Sequence, residues 1–144
     1  MIEVRFAAFP RWLRDIVPLI LWLTFIFLLS SRSTLLEIES QLGERLVFKS
    51  SHIVAYAVLT WLCWRALSAS RHTDWPLLAT AFALAVLYGI SDEVHQLFVP
   101  GRHGRLADVF FDAGGALLMI LLLRWLAWLR RFPESLALSL GPKG

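Results

Sequence analysis

The chain has 144 residues, of which 58% are hydrophobic and 17% charged, whereas a soluble domain has roughly 45–50% apolar and about 25% charged residues. This composition excludes an ordinary soluble domain and indicates a membrane protein with the lipid bilayer as its surroundings. The net charge of +3 does not indicate a nucleic-acid partner, because the basic residues are dispersed among apolar segments instead of clustered on a phosphate-binding face.

Four apolar segments are each close to, or above, the length needed to cross a hydrocarbon layer of about 30 Å. They are residues 16–30, 47–67, 75–99 and 106–129. Because an open sheet edge cannot be satisfied in lipid, continuous segments of this kind are expected to be helices. The sequence therefore predicts an all-α fold, a four-helix transmembrane bundle that forms a single domain over residues 1–144.

The connections between these segments are short. After the first span, apolar residues at helical spacing predict a short interfacial helix, although an ordinary loop fits them equally well. These residues are Leu35, Ile38, Leu42 and Leu46. Pro76 suits the start of the third span. Pro100, Gly101 and Gly104 predict a tight turn before the fourth.

The distribution of Lys and Arg predicts the orientation, because basic residues near span ends resist translocation. If the N-terminus, the second connection and the C-terminus share one side, nine basic residues lie on that side and five on the other. This bias predicts that both termini are cytoplasmic.

Ionisable residues concentrate at the extracytoplasmic ends of the last three spans. They are Lys49, His52, Asp92, Glu93, His95, Asp108 and Asp112. One charge facing lipid costs roughly 2.5–3.5 kcal/mol, so seven isolated charges would outweigh the stability of a small protein. They are therefore expected to face one another, water or a ligand.

Helical spacing favours convergence of these side chains, since residues three or four apart share a face. The three stripes are Lys49, His52 and Tyr56; Asp92, His95 and Gln96; and Asp108 and Asp112. The cations Lys49, Arg102 and Arg105 would nearly neutralise the four carboxylates, as they also would in a purely structural network. Gly114 and Gly115 would let a neighbouring helix approach the fourth span closely.

At these residues the chain resembles VanZ-like membrane proteins. Two segments, "FKSSHIVAYAVL" and "YGISDEVHQLFVPGRHGRLADVFFDAGGALL", are similar to the two family motifs. The resemblance begins at residue 48 and ends at residue 118. The resemblance implies a multi-pass protein of the bacterial inner membrane with a connection to resistance to the glycopeptide teicoplanin. Phe48 departs from an Asp that is usual in the family, and Asp112 from a common Asn.

Two hypotheses for the site differ in whether it performs chemistry. As an enzyme acting on a lipid-linked or peptidoglycan-derived envelope component, the protein would use histidine and carboxylate groups as acid and base. The candidate catalytic residues are His52, Asp92, Glu93, His95 and Asp108. The candidate substrate-binding residues are Lys49, Tyr56, Gln96 and Arg102. A zinc or manganese site using His52, His95 and Asp92 or Asp108 is chemically reasonable, but the spacing alone leaves the cofactor open.

The alternative is a module that binds or helps to transport an anionic ligand without catalysis, using cations such as Arg102 to hold a phosphate or carboxylate. Four spans are few for a carrier, so this alternative also predicts a homo-oligomer. A third hypothesis is a structural subunit whose polar residues only hold the helices in register. Buried ion networks are poor stabilisers compared with apolar packing, which disfavours it.

Overall fold

A computed structural model describes residues 10–32, 41–68, 70, 72–102 and 104–139, and within these residues the structure is helical with no strand. A short π-helix, Trp12–Ile16, leads into α1, Val17–Ser30. The other helices are α2, Gln41–Leu67, α3, Trp75–Gln96, and α4, Leu106–Ser139. The predicted all-α, four-helix architecture is confirmed.

The helices differ from the predicted segments mainly at their ends. α2 begins at Gln41, so residues 41–46 of the predicted interfacial helix are part of α2, while residues 33–40 lie outside the described residues. α3 ends at Gln96, three residues early, because the amides of Leu97 and Phe98 bond three residues back and tighten the last turn. Gly101, with a φ of 79°, then reverses the chain.

Three helices are long and apolar enough to cross a membrane. These are Trp12–Ser30, Trp75–Gln96 and Leu106–Arg130. Among the described helices α2, predicted as the second span, does not meet this criterion by length and composition. α2 is the central helix, packed against α1, α3 and α4, so protein covers a buried polar residue such as Thr60, whereas Lys49 near the start of the helix is exposed.

Small residues set how closely α2 and α4 approach each other. A Cβ atom on Gly115 would lie 2.8 Å from the carbonyl carbon of Ile53 and closer still to its oxygen, whereas one on Gly114 would meet nothing within 4 Å. Close helix approach, predicted for both glycines, therefore depends on Gly115. Because Ile53 follows His52 and Gly115 lies one turn after Asp112, this contact sets the separation of the two helices beside the polar residues.

Side-chain hydrogen bonds attach α1 to its neighbours. Trp22 Nε1 donates to the carbonyl of Ala55 in α2 at 3.0 Å, and the Tyr88 hydroxyl of α3 donates to the carbonyl of Leu23 at 2.7 Å. Aromatic side chains with a polar tip are suited to this position, since the ring packs in the apolar layer while the tip finds a partner. These bonds hold α1 against the bundle, where it forms one wall of the site.

An ion pair joins the π-helix before α1 to the C-terminal end of α2. Asp15 is buried, and its carboxylate accepts from Arg65 at 2.9 Å and from Arg14 at 3.2 Å. From the sequence, Arg14 and Arg65 were interpreted only as basic residues that orient the chain in the membrane. The structure adds that Arg65 also stacks on the Trp61 ring, 4.7 Å from its centroid.

Candidate functional site

The best-defined polar contact at the polar end of the bundle joins α2 to α4. His52 Nδ1 lies 2.8 Å from Asp112 Oδ1, and Asp112 is 1% exposed. When Asp112 is ionised it can only accept a hydrogen bond, so Nδ1 of His52 donates, and Nε2 is the acceptor of the ring whenever the ring is neutral. A buried carboxylate thus fixes both the orientation and the tautomer of this imidazole.

Glu93 adds a third buried group from α3. Its side chain is 5% exposed, and Oε2 accepts the backbone amide of Arg105 at 2.6 Å. His52, Glu93 and Asp112 each offer one donor atom, and the three atoms lie within 4.8 Å of one another. We refer to these three residues as the His–Glu–Asp cluster. Each of the helices α2, α3 and α4 contributes one member.

Two glycines make room for the cluster. A Cβ atom on Gly89 of α3 would lie 2.9 Å from Asp112 Oδ2 and 3.2 Å from the Tyr56 ring. A Cβ atom on Gly104 would clash with the backbone oxygen of Glu93. Gly104 therefore lets the turn close over the end of α3, a role beyond the tight turn predicted for it. Gly89 was not among the residues singled out in the sequence, because its role depends on a residue of another helix.

Asp92 and Gln96 form a second polar pair one helical turn apart. Gln96 Nε2 donates to Asp92 Oδ2 at 3.0 Å, and both side chains are 5% exposed. They share a face of α3, as their spacing predicted. Asp92 Oδ1 has no hydrogen-bond partner among the described residues.

His95, the third member of that predicted stripe, faces α1. Its Nε2 lies 3.0 Å from Ser31 Oγ, and its ring centroid is 4.6 Å from that of Phe27. Glu93, which the stripe omitted, reaches the His–Glu–Asp cluster instead. Glu93 and His95 thus lie on different sides of α3, one towards the cluster and one towards α1, so a single stripe does not hold all the polar residues.

The cations do not take the places that charge balance predicted. Lys49 is exposed, with Nζ 4.9 Å from the Phe111 ring centroid. Arg102 donates from Nε to the carbonyl of Arg32 at 2.7 Å and from Nη2 to that of Leu29 at 3.1 Å, so it satisfies backbone oxygens at the end of α1. Arg105 contacts Glu93 through its backbone amide.

In the part of the chain that the structure describes, His52, beside Asp112, is the one basic side chain within salt-bridge distance of a carboxylate of this site. Asp108 lies half-buried in the first turn of α4, where the positive end of the helix dipole favours a carboxylate. It is not a member of the His–Glu–Asp cluster.

A pocket lies beside the cluster, between α1, α2 and α3. It is small and open on one side. Its apolar wall comes from α1 and its polar wall from α2 and α3; the lining includes Phe25, Ile26, Leu29, His52, Tyr56 and Asp92. Gln96 and Arg102 complete the polar side. His52 therefore belongs both to the cluster and to the pocket.

A family model described as VanZ/LLP1 matches residues 11–128 of the chain. The chain belongs to the VanZ/LLP1 family. This confirms the resemblance carried by the two motifs and extends it to the first helix. Together with the three apolar helices, membership of VanZ/LLP1 indicates a membrane protein. No curated protein and no solved structure matches the chain.

Proposed function

We propose that this VanZ/LLP1 protein is a multi-pass protein of the bacterial inner membrane, with cytoplasmic termini, that acts on a lipid-linked or peptidoglycan-derived component of the cell envelope. The observation that supports this proposal is the hydrogen bond between His52 and the buried Asp112, at the wall of a pocket. An imidazole held by a carboxylate is the arrangement that general acid–base catalysis uses.

The lining of the pocket suits an amphiphilic molecule. Phe25, Ile26 and Leu29 offer an apolar wall for a hydrocarbon tail, and His52 and Asp92 lie on the polar side. Ligand sites commonly combine an apolar lining with a few polar groups that fix orientation. A lipid-linked precursor has both parts, since a polar head is joined to a long apolar chain.

Within this pocket the roles divide between two polar pairs. His52, oriented by Asp112, accepts or returns a proton through Nε2. Asp92 and Gln96 lie across the polar wall, where they hold the head of the substrate by hydrogen bonds, and Tyr56 contributes to the same wall. His95 and Asp108 have a structural role and take no part in the proton transfer.

The alternative function is binding, or assistance in transport, of an anionic envelope molecule without catalysis. It is favoured by Arg102, which lines the same pocket and carries a planar fork of donors suited to phosphate or carboxylate. However, two of its nitrogens already donate to backbone carbonyls at the C-terminal end of α1 and just beyond it. We therefore place this alternative second.

The test is to express the chain in a bacterial host and compare envelope lipids by mass spectrometry, together with teicoplanin susceptibility. The wild type is expected to change the pattern of lipid-linked species relative to an empty vector. His52→Gln and Asp112→Asn are expected to lose that change, because removal of a general base typically lowers rates by about 10²–10⁴-fold.

The chain offers matched controls at its opposite end. His72→Gln and Asp74→Asn make the same chemical changes at exposed positions and should behave as wild type, with membrane levels of all variants compared by immunoblot. A lipid pattern that the wild type leaves unchanged would contradict the proposal. A pattern lost in Arg102→Gln but retained in His52→Gln would favour binding without catalysis.

A further inference from the structure

The three donor atoms of the His–Glu–Asp cluster lie close enough together to bind one ion. His52, Glu93 and Asp112 come from three different helices, yet their donor atoms fall within 4.8 Å of one another. Two of the residues, Glu93 and Asp112, are 5% and 1% exposed. Two carboxylates this close in a buried place repel each other, and the single imidazole beside them can balance at most one of the two negative charges.

Unpartnered oxygens in the cluster point to a ligand. Asp112 Oδ2 and Glu93 Oε1 are buried and have no hydrogen-bond partner among the described residues. A buried acceptor without a hydrogen-bond partner is unfavourable, and more so when it is charged. Gly89 has no side chain where Asp112 Oδ2 approaches it, so the fold keeps this space open. We propose that His52, Glu93 and Asp112 form a binding site for a divalent transition-metal ion.

The distances fit shared coordination. Imidazole and carboxylate ligands bind zinc at about 2.0–2.2 Å, so two ligands of one ion are about 3–3.5 Å apart. His52 Nδ1 and Asp112 Oδ1, 2.8 Å apart, are already close to that spacing. The three donor atoms lie within 4.8 Å of one another, so the most distant pair would have to approach by at most about 1.5 Å to share one ion. An ion bound through Nδ1 would take the place of the proton in the His52–Asp112 bond, and the neutral ring would then carry its proton on Nε2.

The donor set selects the class of metal. One imidazole nitrogen with two carboxylate oxygens suits Zn²⁺ or Mn²⁺, whereas Mg²⁺ and Ca²⁺ favour oxygen ligands throughout. Three protein ligands leave a coordination position open, as in catalytic zinc sites. This set differs from the one considered in the sequence, because His95 faces Ser31 and Phe27 of α1 while Glu93 and Asp112 reach His52.

The inference rests on the geometry of the cluster and not on the proposed function. If the cluster binds no metal, His52 and Asp112 still form an acid–base pair, and the lipid test above decides the proposed function independently. If the cluster binds a metal but envelope lipids do not change, the site stands and the proposed chemistry does not.

The experiment uses the full chain purified in detergent, stripped of metal with a chelator and titrated with MnCl₂ or ZnCl₂. Bound Mn²⁺ is measured by electron paramagnetic resonance and bound Zn²⁺ by calorimetry. The wild type is expected to bind one ion per chain. His52→Gln, Glu93→Gln and Asp112→Asn, which nearly preserve side-chain volume, should each weaken binding at least tenfold.

His72→Gln and Asp74→Asn control for metal ions held by exposed side chains. His95→Gln tests the metal-ligand set that the sequence suggested, which included His95. All three variants should bind the metal ion as the wild type does. Circular dichroism and size-exclusion chromatography identify any variant that fails to fold, and the remaining cluster variants then decide the result. Two outcomes would overturn the proposal: no stoichiometric binding of either ion by the wild type, or binding that persists in the folded cluster variants.

Discussion

Replacing Gly115 by alanine tests whether one close contact between α2 and α4 positions the site. The new Cβ atom would lie 2.8 Å from the carbonyl carbon of Ile53, against an ordinary contact of 3.4–4 Å. Because the carbonyl oxygen is nearer still, the helices would have to separate by roughly 1 Å. The contact between His52 and Asp112 would then lengthen from 2.8 Å to about 3.8 Å, which is beyond hydrogen-bond range.

Gly114→Ala is the matched control for this change. Both substitutions carry the same gain in helix propensity, about 0.5–1 kcal/mol, but a Cβ atom on Gly114 meets nothing within 4 Å. The difference between the two variants therefore measures the packing cost alone, which for an overpacked interior is about 1–3 kcal/mol. Gly114→Ala should be slightly more stable than the wild type, and Gly115→Ala less stable.

The assay is equilibrium unfolding in mixed dodecylmaltoside and SDS micelles, followed by the fluorescence of the seven tryptophans. Gly115→Ala should also lose any metal binding or lipid change found for the wild type, since it moves His52 from Asp112 without altering either residue. Equal stabilities for the two alanine variants would refute the reasoning.

The same unfolding assay tests three further contacts. Arg65→Met removes a 2.9 Å bond to the buried carboxylate of Asp15, so it should lower the free energy of unfolding by about 1.5–3 kcal/mol; an unchanged midpoint would speak against this ion pair. Gly101→Ala places a side chain at a φ of 79° and should cost about 1–2 kcal/mol, whereas wild-type stability would be inconsistent with that turn. Tyr88→Phe removes the hydroxyl bond to Leu23 and should cost about 0.5–1.5 kcal/mol, and no loss would mean that the bond does not hold α1 in place.

Composition and the lengths of the apolar segments were enough to predict the helices, because lipid leaves few alternatives for a continuous apolar chain. Which face of a helix meets which neighbour was harder to predict. Gly114 and Gly115 are adjacent and identical in sequence, and only the rotation of α4 against α2 decides that Gly115 carries the contact. Likewise, the spacing of His95 suggested a shared stripe, but Glu93 lies on the side of α3 that reaches the cluster.

Charge balance was a poor guide to the partners of the cations. A count of charges treats every cation as a partner for a carboxylate, whereas Arg102 donates to carbonyls at the end of α1, seventy residues earlier in the chain. The sequence signal for this contact was weak, because any helix end leaves carbonyls that a nearby arginine can satisfy. The ion pair of Asp15 with Arg65 was missed for a related reason, since its partners lie fifty residues apart.

The hydrogen bond between His52 of α2 and the buried Asp112 of α4 is the contact on which the site depends, and a double-mutant cycle measures its strength directly. In the unfolding assay, His52→Leu and Asp112→Leu should each be destabilising, because each leaves a partner without its hydrogen bond. The double variant should lose less than the two single losses together, with a coupling energy of about 1–3 kcal/mol. Losses that add to within about 0.5 kcal/mol would mean that the two side chains do not interact, and would contradict the account.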